Sequence, residues 1–336
     1  MKEALYYKKE EQKRVRCYLC RFNCRIADGS RGVCAVRENR GGTLFSLVYG
    51  KVCTESIDPI EKKPLFHVMP GSTTYSIATR GCNFHCSHCQ NYTISQVTPQ
   101  TPLHEAEQAP EEIVAKAKVS GCASISYTYT EPTIFYEFAL DTARLAKEAG
   151  LRNIFVTNGY IGKEALTEIA PCLDAANIDL KAFSTEFYRN VVHAELNKVL
   201  DTIIDYKKLG IWLELTTLII PGLNDSEQEL KEIASFILKN LGVDTPWHVT
   251  QFYPTYKLLT PPRTSQTTLK EAREIGMAAG LRYVYEGNVP GQGGENTFCP
   301  FCNGLLIARY GFAVESNRIK NGACPECGAP IGGVGL

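Results

Sequence analysis

Three cysteines stand in the stretch Gly81-Cys82-Asn83-Phe84-His85-Cys86-Ser87-His88-Cys89-Gln90-Asn91, with the spacing C-x3-C-x2-C. Thiolates are soft ligands, and iron–sulfur clusters are held by them. A cubane normally takes four ligands, so a set of three leaves one iron open to a small molecule. The bland reading of the same residues is a structural zinc site completed by His85 or His88. Two further groups carry metal chemistry. Cys299-Pro-Phe-Cys302 and Cys324-Pro-Glu-Cys327 are C-x2-C knuckles 21 residues apart, each followed by Asn303-Gly304 or Gly328, which predicts a tetrahedral four-cysteine site for zinc or rubredoxin-type iron. Cys17, Cys20, Cys24 and Cys34 lie within 18 polar residues and predict one shared metal, either zinc or an auxiliary [4Fe–4S] cluster.

These groups take eleven of the 14 cysteines, leaving Cys53, Cys122 and Cys172 isolated. Disulfide scaffolds are short secreted chains; this one has 336 residues and no apolar signal core in its first sixteen, so clustered cysteines read as metal ligands. Lys plus Arg and Asp plus Glu number 36 each, which gives no general electrostatic grip on nucleic acid or membrane. No apolar run approaches the roughly 20 residues that span a bilayer. Trp212 to Ile220 contains Glu214 and stops at Pro221-Gly222. The expectation is a cytoplasmic protein, 44% hydrophobic and 21% charged like an ordinary globular chain.

The elements that position these residues fall in the middle of the chain. Three segments are expected: a cysteine-bearing, irregular segment 1–70, a core 71–290 and a Gly-rich four-cysteine module 291–336. In the core, strands are predicted at Tyr75–Arg80, Ala123–Tyr129, Asn153–Thr157, Ala175–Leu180, Trp212–Ile219, His248–Phe252 and Arg282–Tyr285. Helical patterns separate them at Glu111–Ser120, Ile134–Glu148, Lys163–Ala170, Glu227–Leu241 and Thr268–Ala279. Strands joined by helices are parallel with right-handed crossovers, and such a sheet curls into a full or partial barrel with its active face at the strand C-termini. Polar groups collect there: Thr130-Glu131-Pro132, Asn158-Gly159, Lys181, Pro221-Gly222-Leu223-Asn224-Asp225 and Asn288. Two of these segments have plain structural readings, Thr130 to Pro132 as a helix cap and first turn, and Asp225 or Ser226 as the cap of the helix from Glu227. Alternation points His248 into the barrel, as a substrate contact or as a satisfied core histidine.

C-x3-C-x2-C directly after the first strand of a βα series resembles the radical S-adenosylmethionine superfamily. The resemblance implies an α/β fold, a partial (β/α)6-type barrel with small cysteine-rich metal-binding extensions at both ends. It implies a [4Fe–4S] cluster on Cys82, Cys86 and Cys89 whose open iron binds S-adenosylmethionine and cleaves it reductively. It also implies cofactor contacts at Thr130 and Glu131 (matching a Gly-Gly-Glu-Pro-like segment, with Thr130 for a glycine), Asn158, Asp179, Lys181 and Asn224. Cys17-Tyr-Leu-Cys20, Gly32-Val-Cys-Ala-Val-Arg37, Asp58-Pro-Ile-Glu-Lys-Lys-Pro-Leu65, Tyr127-Thr-Tyr-Thr-Glu-Pro132 and Gly287-Asn-Val-Pro-Gly291 together resemble the radical component of the "AmmeMemoRadiSam" system, a relative of pyruvate formate-lyase activating enzymes. That resemblance carries over the cofactor chemistry and not the substrate; the leading expectation is hydrogen abstraction from a protein, peptide or other substrate, with an electron donor such as flavodoxin or ferredoxin. The narrower alternative is activation of a glycyl radical enzyme. The alternative from another class is a non-catalytic, zinc-stabilised binding or scaffold protein.

Overall fold

The structure is a computed structural model that describes residues 1–336. Seven strands alternate with helices through its core: β1 (Thr73–Thr79), β2 (Ser124–Tyr127), β3 (Arg152–Thr157), β4 (Ala175–Asp179), β5 (Trp212–Ile219), β6 (Trp247–Gln251) and β7 (Val284–Gly287). The helices are α1 (Pro110–Val119), α2 (Tyr136–Glu148), α3 (Lys163–Ile169), α4 (Leu196–Lys208), α5 (Glu227–Asn240) and α6 (Gln266–Ala278). Sequence periodicity places all of these but α4, with ends displaced by one or two residues. The chain divides into two compact units. The first comprises residues 1–58, 73–174 and 197–211, and the second 59–72, 175–196 and 212–336.

In the first unit β1, β2 and β3 run parallel, with Thr74 and Ser76 level with Ser124 and Ser126. One face of β1 and β2 is therefore small and polar, and Thr74 Oγ1 and Ser126 Oγ lie 2.7 Å apart across it. The opposite face carries Ile77, Ile125, Tyr127 and Phe155, all buried. Helix α2 presents Phe138, Ala139, Ala143 and Ala146 at three- and four-residue spacing, the amphipathic stripe a sheet-covering helix needs. Residues 1–58 are not irregular. They form short antiparallel sheets, Lys2–Glu3 with Thr43–Ser46 and Arg37–Arg40, and Tyr7–Lys9 with Val15–Cys17 and Cys24–Ile26. Strands of two to four residues are too short to leave an alternation in the sequence. They are pinned by a buried ion pair, Arg37 to Glu137 of α2 at 2.7 Å, each side chain 2% exposed.

In the second unit β4 to β7 run parallel in chain order. Ser226 caps α5 by accepting from the Glu229 amide, and Ser265 caps α6 by accepting from Thr268, so α6 starts two residues before the apolar pattern. The stretch 59–72 folds with this unit, and Glu61, Lys63 and His67 are buried. The cause is Glu214, 0% exposed on β5, which accepts from the Phe66 and His67 amides at 2.9 and 2.8 Å and pairs with His248 Nε2 at 2.7 Å. His67 Nδ1 donates to the Gly332 carbonyl, and its Nε2 accepts from the Tyr285 hydroxyl, a tautomer assigned from these partners. Arg309 donates to Thr297 Oγ1 and the Phe66 carbonyl, with its guanidinium over the Phe66 ring. The strands Thr297–Phe298, Leu305–Tyr310 and Ala313–Asn317 complete the unit as an antiparallel sheet.

This network sets an acid limit on stability. Burial pushes His67 below its ordinary value of 6.5. Burial also opposes ionisation of Glu214, but the His248 hydrogen bond and nearby imidazole charge outweigh it and hold the carboxyl below 4.5. Both folded values are depressed, so both contributions are present above the unfolded values and are lost as pH falls through the folded ones. Thermal unfolding midpoints should therefore drop below pH 6.5 and again below 4.5. His67→Gln should remove the upper limb while lowering stability at pH 8; an unchanged pH profile would show that His67 is not the titrating group.

Candidate functional site

Cys82, Cys86 and Cys89 lie on the loop that leaves the C-terminal end of β1. Gly81 starts it with φ +100°, a conformation that suits glycine. The loop turns back on itself through Cys89 N to Cys86 O and ends in a helical turn, Tyr92–Ser95. The Phe84 amide donates to Cys82 Sγ at 3.3 Å, and Ser95 Oγ lies 3.1 Å from Cys89 Sγ. Burial, then the neighbouring charges of Glu131 and Cys86, pushes the Cys82 thiol well above its ordinary range. Asn83 Nδ2 is buried without a protein partner. Three thiols on one loop, Cys86 buried and Cys82 and Cys89 half-buried, with N–H groups beside them, fit an iron–sulfur cluster, whose sulfurs accept such hydrogen bonds. The two histidines of the zinc reading are elsewhere engaged or buried: His85 Nδ1 is 3.0 Å from Gln96 Oε1, and His88 is 4% exposed.

Around this loop the ends of β2 and β3 are locked by Glu131, 1% exposed. Its carboxylate accepts from Thr133 N at 3.0 Å, Thr157 Oγ1 at 2.8 Å and Asn158 N at 2.8 Å. The helix-cap reading of Glu131 thus holds in its local geometry, and the same carboxylate ties two strand ends together. Burial raises its pKa, and the donated hydrogen bonds oppose that. Asn158 Nδ2 donates to Asn83 Oδ1 at 2.7 Å and lies 3.9 Å from Cys82 Sγ. Thr130 Oγ1 donates to the Thr79 carbonyl at 2.9 Å, and Asn91 Nδ2 to the Tyr129 carbonyl at 2.7 Å. Tyr129 itself has φ +63°, a left-handed conformation unusual for a bulky residue. Nothing local in the sequence signals it; an expectation built on Thr130 alone misses Tyr129.

In the second unit Lys181 Nζ pairs with Asp179 at 3.0 Å, at the C-terminal end of β4. Asn224 accepts from Ile220 N at 2.6 Å and donates to the carbonyls of Lys181 and Leu218, so its side chain closes its own turn. His248 lies near the start of β6 beside Glu214, Phe66 and Tyr285, and its register partner on β5, Thr216, is also the partner of Asp179 on β4. The partners of His248 are those of the stabilising network. Glu61, Glu214, Tyr285 and Arg309 are the buried polar residues that sequence reasoning missed, since no local pattern links them.

The sulfurs of Cys299, Cys302, Cys324 and Cys327 all lie within 4.8 Å of one another. Each knuckle turns through a left-handed residue, Asn303 at φ +58° and Gly328 at φ +72°, whose amide bonds back to the first cysteine's carbonyl at 2.9 Å. The geometry is that of a single-ion four-thiolate site.

Residues 76–237 match the family model of the radical SAM superfamily. The chain belongs to that superfamily. It is 48% identical over 333 residues to an uncharacterized protein of Methanocaldococcus jannaschii, covering 98% of this chain and 99% of that one. It is 24% identical over 173 residues to the pyruvate formate-lyase-activating enzyme of Clostridium pasteurianum, covering 51% of this chain and 71% of that one. A radical SAM methyltransferase from Sphaerobacter thermophilus shares the fold, with a TM-score of 0.52 and 19% identity over 70% of this chain and 71% of that one. The radical SAM domain includes all three loop cysteines and Thr130, Glu131, Asn158, Asp179, Lys181 and Asn224. Both terminal cysteine quartets and His248 fall outside it.

Removing the Glu131 carboxylate strands buried donors on three residues, each worth about 1–3 kcal/mol when unsatisfied. Glu131→Ala should lower the free energy of urea unfolding by about 2–4 kcal/mol, and Glu131→Gln by less. A change under about 0.5 kcal/mol for the alanine variant would refute the tie between the strand ends.

Proposed function

We propose that this radical SAM superfamily enzyme holds a [4Fe–4S] cluster on Cys82, Cys86 and Cys89 and abstracts hydrogen from a protein or peptide substrate. The observation that carries the reading is the loop of three thiols at the end of β1, Cys86 buried and Cys82 and Cys89 half-buried, with Asn158 bonded to Asn83 beside it. With S-adenosylmethionine bound, such a cluster supplies one-electron cleavage of the sulfonium and hence a carbon radical. The chain's own residues bind, orient and exclude water. Asn158 orients the cysteine loop through Asn83. Thr130 and Asn91 fix the backbone at Tyr129 and Thr130, the segment that would hold the amino group of a bound S-adenosylmethionine. Glu131 keeps those strand ends in register, and the resemblance adds Asp179, Lys181 and Asn224 as contacts to the same cofactor.

The polar face of β1 and β2 supports the reading. Ser76 and Ser124 hydroxyls are buried without protein partners, where a packed barrel interior carries bulky branched residues. A protein substrate is favoured because the chain is homologous to pyruvate formate-lyase activating enzymes. The narrower version, activation of a glycyl radical enzyme, rests on the same relative and predicts a stable organic radical signal on mixing with such a partner. The motif set supports placement with the AmmeMemoRadiSam radical component, and an electron donor such as flavodoxin or ferredoxin follows from the chemistry. No helix is long and apolar enough to cross a membrane; the cytoplasmic setting is part of the proposal. For the C-terminal quartet we assign zinc.

The deciding experiment is anaerobic reconstitution with dithionite and S-adenosylmethionine, assayed for 5′-deoxyadenosine. Wild type should form it, and Cys82→Ala/Cys86→Ala/Cys89→Ala should not. Equal yields would overturn the assignment and favour a zinc-stabilised scaffold.

A further inference from the structure

The function above leaves Cys17, Cys20, Cys24 and Cys34 without a role. Cys17 and Cys24 are cross-strand partners in one hairpin, and the four thiols surround a single cavity. A tetrahedral zinc or iron holds sulfur at about 2.3 Å, which draws four sulfurs to roughly 3.8 Å from one another. The C-terminal quartet has that spacing, with sulfur pairs at 3.6 and 3.7 Å. The N-terminal four do not form so close a set and instead line a cavity whose walls include Leu19, Ile26, Val33 and Ile134. Arg37 and Asn83 also line it, and both are buried. Arg37 spends its terminal nitrogens on Glu137 and the Leu5 carbonyl, and its Nε has no protein partner. Asn83 Nδ2 has none either. Unused N–H donors beside four thiols suit an anionic cluster with sulfides of its own, which accept hydrogen bonds; a closed four-thiolate ion offers fewer acceptors.

The same cavity borders the loop of Cys82. Asn83 is the chain neighbour of Cys82 and belongs to both sites. A Cβ at Gly81 would stand 2.7 Å from Val36 Cγ1 and 3.1 Å from the Cys34 carbonyl. Phe22, between Cys20 and Cys24, packs on Phe84 and Tyr160 with ring centroids 6.4 and 4.8 Å apart.

We propose that Cys17, Cys20, Cys24 and Cys34 bind an auxiliary iron–sulfur cluster, coupled through Asn83 to the site of Cys82. It relays one electron at a time. A low-potential one-electron donor is oxidised, the auxiliary cluster is reduced and then reoxidised as it passes the electron on, and no bond is made or broken. The site stands independently of the proposed function; only the coupling rests on that reading.

The test uses the full chain, reconstituted anaerobically with iron and sulfide. Mononuclear zinc or iron sites carry no sulfide, so acid-labile sulfide reports clusters alone. Cys82→Ala/Cys86→Ala/Cys89→Ala should keep about four sulfides per chain and the paramagnetic signal of a reduced cubane. A colourless, sulfide-free variant overturns the proposal, whether or not the wild type carries the first cluster. Adding Cys20→Ser and Cys34→Ser should abolish the sulfide, and its retention places the cluster elsewhere and also overturns the proposal. In fully reduced wild type, the two signals should be broadened by mutual spin coupling. A spectrum that equals the sum of the two single-site variants overturns the relay.

Discussion

A carboxylate buried without a counter-cation must find N–H and O–H donors, and Glu131 finds them on the ends of two strands at once. That requirement is what shapes the cysteine face. Satisfying the carboxylate brings Asn158 N to it, and this turns the Asn158 side chain toward Asn83. Asn83 adjoins Cys82, so the position of the first thiol depends on a carboxylate that does not touch it. The arrangement explains a cofactor loop with little regular structure that is nonetheless held from below by β2 and β3.

The loop is also held from the side. Gly81 lies so close to Val36 and Cys34 that no side chain fits between them, and three aromatic rings join the two cysteine segments. The N-terminal sheets are therefore part of the wall of the site. A buried Arg37–Glu137 pair anchors that wall to α2; breaking such pairs by removing one partner costs about 3–5 kcal/mol, because the other charge is left uncompensated.

The second unit solves a different problem, that of seating residues 59–72 and the C-terminal sheet. It uses buried charge, with Glu214 receiving two backbone amides, one histidine and the Trp212 indole. Such a network is costly if half satisfied and specific if complete. His248 takes part in it, which accounts for an intrinsic core histidine in a strand that otherwise reads as a substrate wall.

Much of the molecule was legible from residue order. The seven strands, five of six core helices, both C-x2-C knuckles and the C-x3-C-x2-C loop follow from spacings of two to four residues, and local geometry governs those spacings. The short N-terminal strands were not legible, because a very short segment leaves no clear period; α4 does carry one, with Leu196, Val199, Ile203 and Tyr206 buried at three- and four-residue spacing, although it was not among the expected helices. What only the tertiary structure decided involves residues far apart in the chain: Glu214 with Phe66, 148 positions away, Asn158 with Asn83, 75 away, and the cavity that joins Cys17 to Asn83. A buried polar group selects its partner by where the fold leaves an unmet donor or acceptor, and no local pattern in the sequence encodes that place.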